Sequence, residues 1–220
     1  MLEELADPER ALAVAYAPRG VRPALSALFL LDERLGTIVA TTTEPMIGLM
    51  RLAWWREALE RLDHAPPPAE PLLARIAATL LPAGLDGAML AEVEDGWSAL
   101  LEGEADAAAI ARHGAQRGGR LFALAGRLLG ADDPRIAAAG QGWALADLAH
   151  RHSVAAVQAE ARRQARAVLD AMMPARWPGA SRPLGALAVL ARRDAARDAP
   201  RMQGAPVRLA RMLALRLTGR

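Results

Sequence analysis

Apolar residues recur every three or four positions along most of this chain, with charged residues or alanine between them. In the clearest case, between residues 23 and 39, this spacing gathers the apolar side chains on one side of a helix. Alanine and leucine, which favour helices, are abundant, and residues that favour strands are scarce. The pattern predicts an all-helical chain, in which this helix faces the core with Leu25, Leu28, Phe29, Leu31, Leu35 and Ile38.

Proline and glycine divide the pattern into separate elements. Pro45 lies in the first turn of one predicted helix, where proline is tolerated, and three prolines from Pro66 form a stiff connector. Gly118 and Gly119 interrupt another helix, and we expect close helix packing there because the context of a phosphate loop is missing. No repeat or linker is evident, so we expect a single domain over the whole chain. The predicted helices span residues 3–17, 23–39, 45–62, 70–81, 86–101, 105–129, 134–173 (one helix or two in series), 184–196 and 207–217.

The charge balance excludes several classes of protein. All 27 basic residues are arginine, and 25 acidic residues oppose them, so the formal net charge is only +2. The pI near 10.2 reflects the high pKa of arginine and does not predict nucleic-acid binding. The absence of cysteine excludes disulfides, thiolate metal sites and a cysteine nucleophile. We expect a soluble cytoplasmic protein, because neither a signal-peptide pattern nor an apolar stretch of membrane-spanning length is present.

Several segments of the sequence resemble the squalene/phytoene synthase family. One covers residues 27–39, and the most specific is Trp-Trp-Arg-Glu at residues 54–57. Two more follow in the same order, at residues 112–122 and 140–145. The resemblance implies an all-α, isoprenoid-synthase-like helical bundle, shortened relative to typical active members.

Active members of that family join two prenyl diphosphates head to head, with magnesium held by two aspartate-rich motifs. Magnesium prefers carboxylate oxygens, and carboxylates four residues apart share one helix face. Here the first motif would fall at Gly36 and Thr37, and the second would follow Leu148, where the sequence reads Ala-His-Arg-His. We therefore expect no metal site and no cofactor, with magnesium needed only if the protein is an enzyme.

Displaced acidic residues remain near both positions. Asp32 and Glu33 lie about one turn before the first motif, where Arg34 is placed to neutralise them. Asp147 remains near the second, and Arg151, four residues on, is placed to pair with it. No catalytic residue is assigned, and the candidates in an active protein are Asp32, Glu33, Asp95 and Asp147.

A candidate substrate or lipid pocket includes both tryptophans of the Trp-Trp-Arg-Glu segment. Adjacent helical positions point about 100° apart, so at least one of the two is expected in the core. The resemblance implies diphosphate binding for the flanking arginines, whereas helical spacing predicts the ion pairs Arg56–Glu60 and Glu57–Arg61. The candidate pocket residues are Arg51, Trp54, Trp55, Arg56 and Trp143.

The remaining polar candidates are interpreted as structural. His150 and His152 diverge on a helix, which is poor geometry for joint chelation, and a partly exposed structural role is expected. His113 is expected at the surface or beside the glycine kink. The Asp-x-x-x-Asp pattern at Asp194 and Asp198 lies among arginines and predicts a solvated helix face rather than a metal site.

Two arginine-rich stretches are candidate contacts with acidic lipid or an acidic partner. One covers residues 162–166, and the other is the last helix, with Arg208, Arg211, Arg216 and Arg220 among leucines. Such a helix can lie on a membrane interface, or it can pack on the protein with its arginine stems. Peripheral contact with the inner membrane is one expectation for this helix.

Two functions of different classes follow. The first is a non-catalytic binding or assembly factor for a protein partner or a lipid near a membrane. The resemblance implies it, since a mitochondrial member of the family that helps to assemble respiratory complex I also lacks the full metal motifs. The second is a divergent magnesium-dependent prenyl diphosphate transferase that uses the displaced acids. A third hypothesis, with less support, is a helical module that holds a prenyl chain without chemistry. An open apolar pocket with acids at its mouth favours the enzyme, and a cavity filled by tryptophan, leucine and arginine favours the non-catalytic protein.

Overall fold

The computed structural model describes residues 4–172, 176–197 and 201–220. Within these ranges the chain forms helices and connecting turns without any strand, so the prediction of an all-helical chain is confirmed. None of the helices in these ranges combines the length and apolar character needed to cross a bilayer. The helices are α1 (Pro8–Tyr16), α2 (Arg22–Thr41), α3 (Pro45–Arg61), α4 (Pro71–Thr79), α5 (Gly87–Ala91), α6 (Glu94–Ser98), α7 (Ala107–His113), α8 (Arg120–Leu129), α9 (Ile136–Arg151), α10 (Ala155–Ala171), α11 (Arg182–Ala195) and α12 (Pro206–Thr218), and a π-helical segment (Gly114–Gly119) joins α7 to α8.

Helix α1 begins later than the sequence predicts. The Asp7 carboxylate caps it by accepting hydrogen bonds from the backbone nitrogens of Glu9 and Arg10, and Pro8 occupies the first turn. The predicted start at Glu3 lies outside the described residues. The cap places Arg10 inside the first turn, where it is 2 % exposed.

The single helix predicted over residues 86–101 is wrong, because the chain forms two short helices, α5 and α6, with a turn between them. A Cβ atom on Gly96 would lie 2.2 Å from the backbone nitrogen of Arg117, so α6 rests directly on the π-helical segment. This close approach sets the position of α6, and tertiary packing overrides the local helix propensity.

Two glycines allow the π-helical segment to touch α9. A Cβ atom on Gly118 or on Gly140 would lie 2.0 Å from the carbonyl oxygen of the other residue. The expectation of close helix packing at this glycine pair is confirmed. π-Helical turns are rare in proteins, and those that occur are often found at functional sites. This one carries Arg117.

The pattern over residues 134–173 forms two helices in series, α9 and α10, and residue 173 lies outside the described residues. Val154 between them has an extended backbone, with φ −89° and ψ 119°. The side-chain amide of Gln158 donates to the carbonyl oxygen of His152, which satisfies a backbone group at the break. The short connection lets α10 pack extensively against α9.

Helices α2 and α9 lie at the centre of the core. Half of α2 and most of α9 are buried, and α9 packs against α8, α10, α11 and the π-helical segment. Each central helix carries one buried acidic residue, Asp32 in α2 and Asp147 in α9. A buried charge is unfavourable unless it is paired, so the partners of these two residues locate the site.

Candidate functional site

A cleft of about 650 Å³ opens beside α2 and α9. Its apolar lining comes from Val39, Leu100, Leu101 and Leu148, together with the ring of Trp97. Much of the remaining lining is charged and includes both buried aspartates. The charged lining residues are Asp7, Arg10, Asp32, Glu33, Arg117, Asp147 and Arg151.

Arg117 joins the two aspartates across the cleft. Its Nε donates to Asp32 Oδ1 at 2.8 Å and its Nη2 donates to Asp32 Oδ2 at 3.0 Å. The same Nη2 atom donates to Asp147 Oδ2 at 3.0 Å. All three side chains are 2 % exposed or less. One guanidinium group therefore bridges α2 and α9 and compensates both buried charges.

Arg10 supplies a second positive charge to Asp32. Its Nη1 lies 3.0 Å from Asp32 Oδ2 and 3.6 Å from Glu33 Oε1. These are ion-pair distances, but the Nε and Nη1 hydrogens make no well-aligned hydrogen bond among the described residues. The guanidinium also lies over the ring of Trp143, with 4.8 Å between its carbon and the ring centre. Arg10 therefore acts on Asp32 through its charge more than through a directed hydrogen bond.

Asp147 is held by three guanidinium groups. Besides Arg117, the Nε atom of Arg151 lies 2.8 Å and the Nη1 atom of Arg201 lies 2.9 Å from Asp147 Oδ1, so the predicted Asp147–Arg151 pair is confirmed. Burial opposes the ionisation of Asp147, but these positive charges outweigh burial and hold its pKa well below the usual value. The same balance of burial against neighbouring arginines lowers the pKa of Asp32. Both carboxylates are therefore ionised at neutral pH.

His113 lies under this network and not at the surface, contrary to one of the two sequence expectations. Its ring is fully buried, directly before the π-helical segment, and its Nδ1 lies 2.6 Å from the carbonyl oxygen of Gly96. A carbonyl only accepts, so Nδ1 carries the proton, and Nε2 faces Arg117 Nη1 at 3.4 Å. Burial, with the nearby Arg117 charge, lowers the pKa of His113 to about 3. The imidazole is neutral and completes the packing around the arginine.

Trp97 occupies the space next to Gly36. Its Nε1 donates to Asp32 Oδ1 at 3.1 Å, and the Arg117 guanidinium lies 4.1 Å from the centre of a Trp97 ring. A Cβ atom on Gly36 would lie 2.8 Å from the Trp97 ring. The position that the resemblance assigns to the first aspartate motif therefore has no room for a side chain. Thr37 beside it donates its hydroxyl to the backbone carbonyl of Glu33 at 2.8 Å.

Positive and negative charges in the cleft are balanced. Four carboxylates and three guanidinium groups line it, and Arg201, which contacts Asp147 and also lies 3.6 Å from Asp7, adds a fourth positive charge. Within the described ranges, no group of three or more acidic or histidine side chains is placed to hold a metal ion. The arrangement is that of a charge-balanced ion-pair network.

The family model for squalene/phytoene synthase matches residues 4–150, which is more than half of the chain. The chain belongs to the squalene/phytoene synthase family. Searches among curated proteins and among solved structures found no significant match. The matched residues include Asp32 and Asp147 with all of α2 and all but the last residue of α9, and the all-α isoprenoid-synthase fold of the family agrees with the helical structure.

Arg34 does not neutralise the acidic pair of α2, contrary to the prediction. Its Nη1 lies 3.0 Å from Glu70 Oε1, and its guanidinium lies 5.5 Å from the centre of the Trp55 ring. Two residues along a helix correspond to about 200°, so Arg34 and Asp32 face opposite sides of α2. The positive charges that pair with Asp32 come instead from Arg10 in α1 and Arg117 in the π-helical segment.

Asp95 lies outside the cleft, unlike the other three candidate catalytic acids. It pairs with Arg56, whose Nη2 also lies 2.8 Å from Glu94 Oε2. The predicted Arg56–Glu60 pair is therefore wrong, and no ion pair joins Glu57 to Arg61 in the described part of the chain. Arg56 reaches α6, a different element, because α3 packs against α6.

The predicted pocket residues do not line the cleft. Trp55 is 5 % exposed and Trp54 is 46 % exposed, which confirms that one of the two belongs to the core. Trp143 is buried beneath Arg10 and Arg117 and stacks on their guanidinium groups. The five predicted pocket residues therefore lie in different places. Arg51, Trp54 and Arg56 lie on the surface side of α3, Trp55 lies in the core, and Trp143 lies at the base of the ion network.

The other polar candidates have structural roles. The half-buried rings of His150 and His152 contact the backbone, with Nδ1 near the carbonyl oxygen of Ala146 and the nitrogen of Val154 respectively, as a structural role predicts. Asp194 is not on a solvated face: its side chain is 10 % exposed and pairs with Arg201 and Arg208. Asp198, the second acid of that pattern, lies outside the described residues.

Sequence reasoning missed the residues that hold the site together, namely Arg10, Trp97, Arg117 and Arg201. Asp32 and Arg117 are 85 residues apart in the chain, and helical spacing reports only on contacts within one helix. One feature of the sequence could have pointed to Arg117, because it directly precedes the glycine pair of a segment that resembles the family.

Proposed function

We propose that this protein is a non-catalytic member of the squalene/phytoene synthase family, acting as a binding or assembly factor for a protein partner or lipid near a membrane. The observation that carries the proposal is the Arg117 bridge between Asp32 and Asp147. Arg117 takes the place between α2 and α9 that a divalent cation would need.

Magnesium coordination requires carboxylate oxygens that are free to approach the ion to about 2.0–2.1 Å. The oxygens of Asp32 and Asp147 are already within 3.1 Å of arginine nitrogens, and those of Asp32 also accept from Trp97. Moving Arg117 aside would leave its own charge buried and unpaired, at a cost of about 3–5 kcal/mol. The cleft thus contains its own cations and has little to gain from a metal.

Crowding at Gly36 supports the same conclusion. An aspartate there would collide with Trp97, whose position is fixed by its hydrogen bond to Asp32 and by the stacked Arg117. A side chain at position 36 and the Trp97 ring would occupy the same volume. A carboxylate pair at the first motif therefore needs more than a single substitution.

The lining of the cleft fits an amphipathic ligand. Val39, Leu100, Leu101 and Leu148 offer apolar contacts to an isoprenoid or acyl chain, and the charged part of the lining, which contains both carboxylates and guanidinium groups, offers contacts to a polar head. Co-purifying lipid, detected by mass spectrometry of the purified protein, would support this binding role. The assembly role is supported by resemblance to the non-catalytic mitochondrial branch alone, since fold does not fix function.

Incubation with a prenyl diphosphate and magnesium tests the proposal. We expect neither a head-to-head product nor release of diphosphate, and we expect ligand binding, where it occurs, to be independent of magnesium. A head-to-head product that is formed by the wild-type chain and lost on Asp147→Ala would overturn the proposal.

A divergent prenyl diphosphate transferase is the second candidate, and one observation favours it. Asp32, Glu33 and Asp147, from two central helices, line the same open cleft. This candidate requires magnesium to displace Arg117 when substrate binds. It predicts stoichiometric magnesium binding and measurable diphosphate release, both abolished by Asp32→Ala or Asp147→Ala.

A further inference from the structure

Helix α12 packs on the protein through a narrow face. Met212 and Leu215 are each 1 % exposed, and Arg208 Nη2 donates at 2.9 Å to both Glu9 and Asp194. These contacts fix α12 against α1 and α11. Most of its other apolar residues therefore remain outside the core.

The outer face of α12 is an apolar stripe. Val207 is 65 %, Leu213 is 49 % and Leu217 is 69 % exposed. At about 100° per residue, the stripe covers an arc of about 120° that contains no charged residue. Its members are Val207, Ala210, Leu213, Ala214 and Leu217, all of them exposed.

Positive charge borders this stripe. Helix α12 contains no acidic residue, and Arg211 lies at the edge of the stripe. Arg193, in the last turn of α11, lies near Arg211 and Arg197, and the three form no ion pair among the described residues. Burial, together with the charges of Arg211, Arg197 and Arg208, lowers the pKa of Arg193, as expected for a cluster of like charges.

The helix is held in one orientation at its far end as well. Arg216 Nη1 donates to the carbonyl oxygen of Tyr16 at 2.6 Å, and Arg182 Nη1 donates to that of Arg216 at 2.8 Å. The backbone nitrogen of Trp177 donates to the carbonyl oxygen of Gly219 at 2.8 Å. The stripe is therefore presented by a fixed helix and does not depend on a flexible tail.

We propose that α12 docks flat on an anionic bilayer surface, with its apolar stripe among the acyl chains and the Arg193–Arg197–Arg211 cluster at the headgroups. Aliphatic residues beside arginines are typical of interfacial helices, and basic residues near an anionic surface strengthen such binding. The stripe is aliphatic, α12 has no acidic residue, and arginines lie beside it, so apolar character and positive charge together match the acyl chains and headgroups of an anionic bilayer.

This inference extends the proposed membrane-proximal role by naming the contact surface, and it involves residues outside the cleft. Its failure can be separated from failure of the proposed function. The vesicle experiment below contains no magnesium or prenyl diphosphate, and the turnover experiment contains no membrane.

Co-sedimentation of the full chain with vesicles tests the inference. The vesicles are phosphatidylcholine alone, or phosphatidylcholine with about one third phosphatidylglycerol. We expect binding to the anionic vesicles only, at least ten-fold weaker binding for the double variant Leu213→Ser/Leu217→Ser, and about five-fold weaker binding for each of Arg193→Gln and Arg211→Gln. Circular dichroism verifies that each variant is folded.

A matched control comes from α3, where Met46 and Met50 are 68 % and 67 % exposed. The double variant Met46→Ser/Met50→Ser removes a similar exposed apolar area and should bind anionic vesicles like the wild type. The inference is overturned if the wild type does not bind anionic vesicles, or if both double variants weaken binding equally. It is also overturned if the leucine variant binds unchanged while soluble polyglutamate displaces the protein, since that result indicates an acidic partner.

Discussion

Two of the arginine–carboxylate clusters that link helices in the described part of the chain differ in burial. Arg117 joins α2 to α9 through Asp32 and Asp147, and all three side chains are 2 % exposed or less. Arg56 joins α3 to α6 through Asp95, with side chains that are 31 % and 41 % exposed. We expect the buried Arg117 cluster to matter strongly for stability and the exposed Arg56–Asp95 pair to matter little.

The physical reason is the different cost of breaking each cluster. Water screens and solvates an exposed charge that loses its partner, so such pairs contribute about 0–1 kcal/mol. Removing one member of a buried cluster leaves a charge that water cannot reach, which costs about 3–5 kcal/mol. An arginine between two buried carboxylates is therefore stable only if the whole cluster is matched in charge.

The largest expected effect is that of Arg117→Met. Methionine fills much of the volume but leaves Asp32 and Asp147 facing each other without their shared cation, so we expect a loss of about 3–5 kcal/mol in the free energy of unfolding. Urea denaturation monitored by circular dichroism measures it. A loss below 1 kcal/mol would show that Arg10, Arg151 and Arg201 suffice and that Arg117 is not the central cation.

Acid should destabilise the cleft through His113. Its pKa is lowered to about 3 in the folded protein, against about 6.5 in the unfolded chain, so the unfolded state binds the extra proton between these values. Stability is full above about pH 6.5 and falls by about 1.4 kcal/mol per pH unit below it. Denaturation at a series of pH values should show about 3 kcal/mol of loss by pH 4.5.

The variant His113→Asn identifies the source of that slope. Asparagine can donate to the Gly96 carbonyl but does not titrate, so the stability of the variant should be nearly flat between pH 4.5 and 6.5. Asp32 and Asp147, whose folded pKa values are lowered, contribute stability that is present above about pH 4 and lost as pH falls further, in both proteins. An unchanged slope in the variant would assign it to other groups.

Gly36→Asp should destabilise the protein by about 1–3 kcal/mol, because the new side chain overlaps Trp97. We expect no gain in magnesium affinity by calorimetry, since the network keeps its own cations. The matched control is Gly103→Asp, at a position where a Cβ atom meets nothing within 4 Å. Magnesium binding restored by Gly36→Asp alone would show that only the missing carboxylate separates this cleft from a metal site.

The smallest expected effect is that of Asp95→Asn, about 0–1 kcal/mol, because it removes only the exposed Arg56–Asp95 pair and leaves Arg56 paired with Glu94. The contribution of this exposed pair should shrink further in 1 M salt, where screening acts over about 3 Å, whereas the effect of Arg117→Met should change little. Denaturation of both variants at low and high salt measures the difference. A salt response of equal size in the two would remove the distinction between the clusters.

Helical spacing predicts the Asp147–Arg151 pair correctly but fails for Arg56–Glu60, and it does not predict the contacts between distant segments that build the site. The spacing of apolar residues predicts α2 and α3 to within about two residues, and i,i+4 spacing predicts the Asp147–Arg151 pair. Arg10 and Arg117 reach Asp32 from helices that meet only in the folded core. The contact between Gly36 and Trp97 depends on where α6 packs, and the sequence does not show that α5 and α6 separate.

The most direct test of the account is a crystal structure of the protein soaked with manganese and a non-hydrolysable prenyl diphosphate analogue. Manganese substitutes for magnesium and is located by its anomalous scattering. We expect Arg117 still bonded to both Asp32 and Asp147, and no manganese bound to either carboxylate. Manganese ions coordinated by Asp32 or Asp147 and by the diphosphate, with Arg117 displaced, would contradict the non-catalytic assignment.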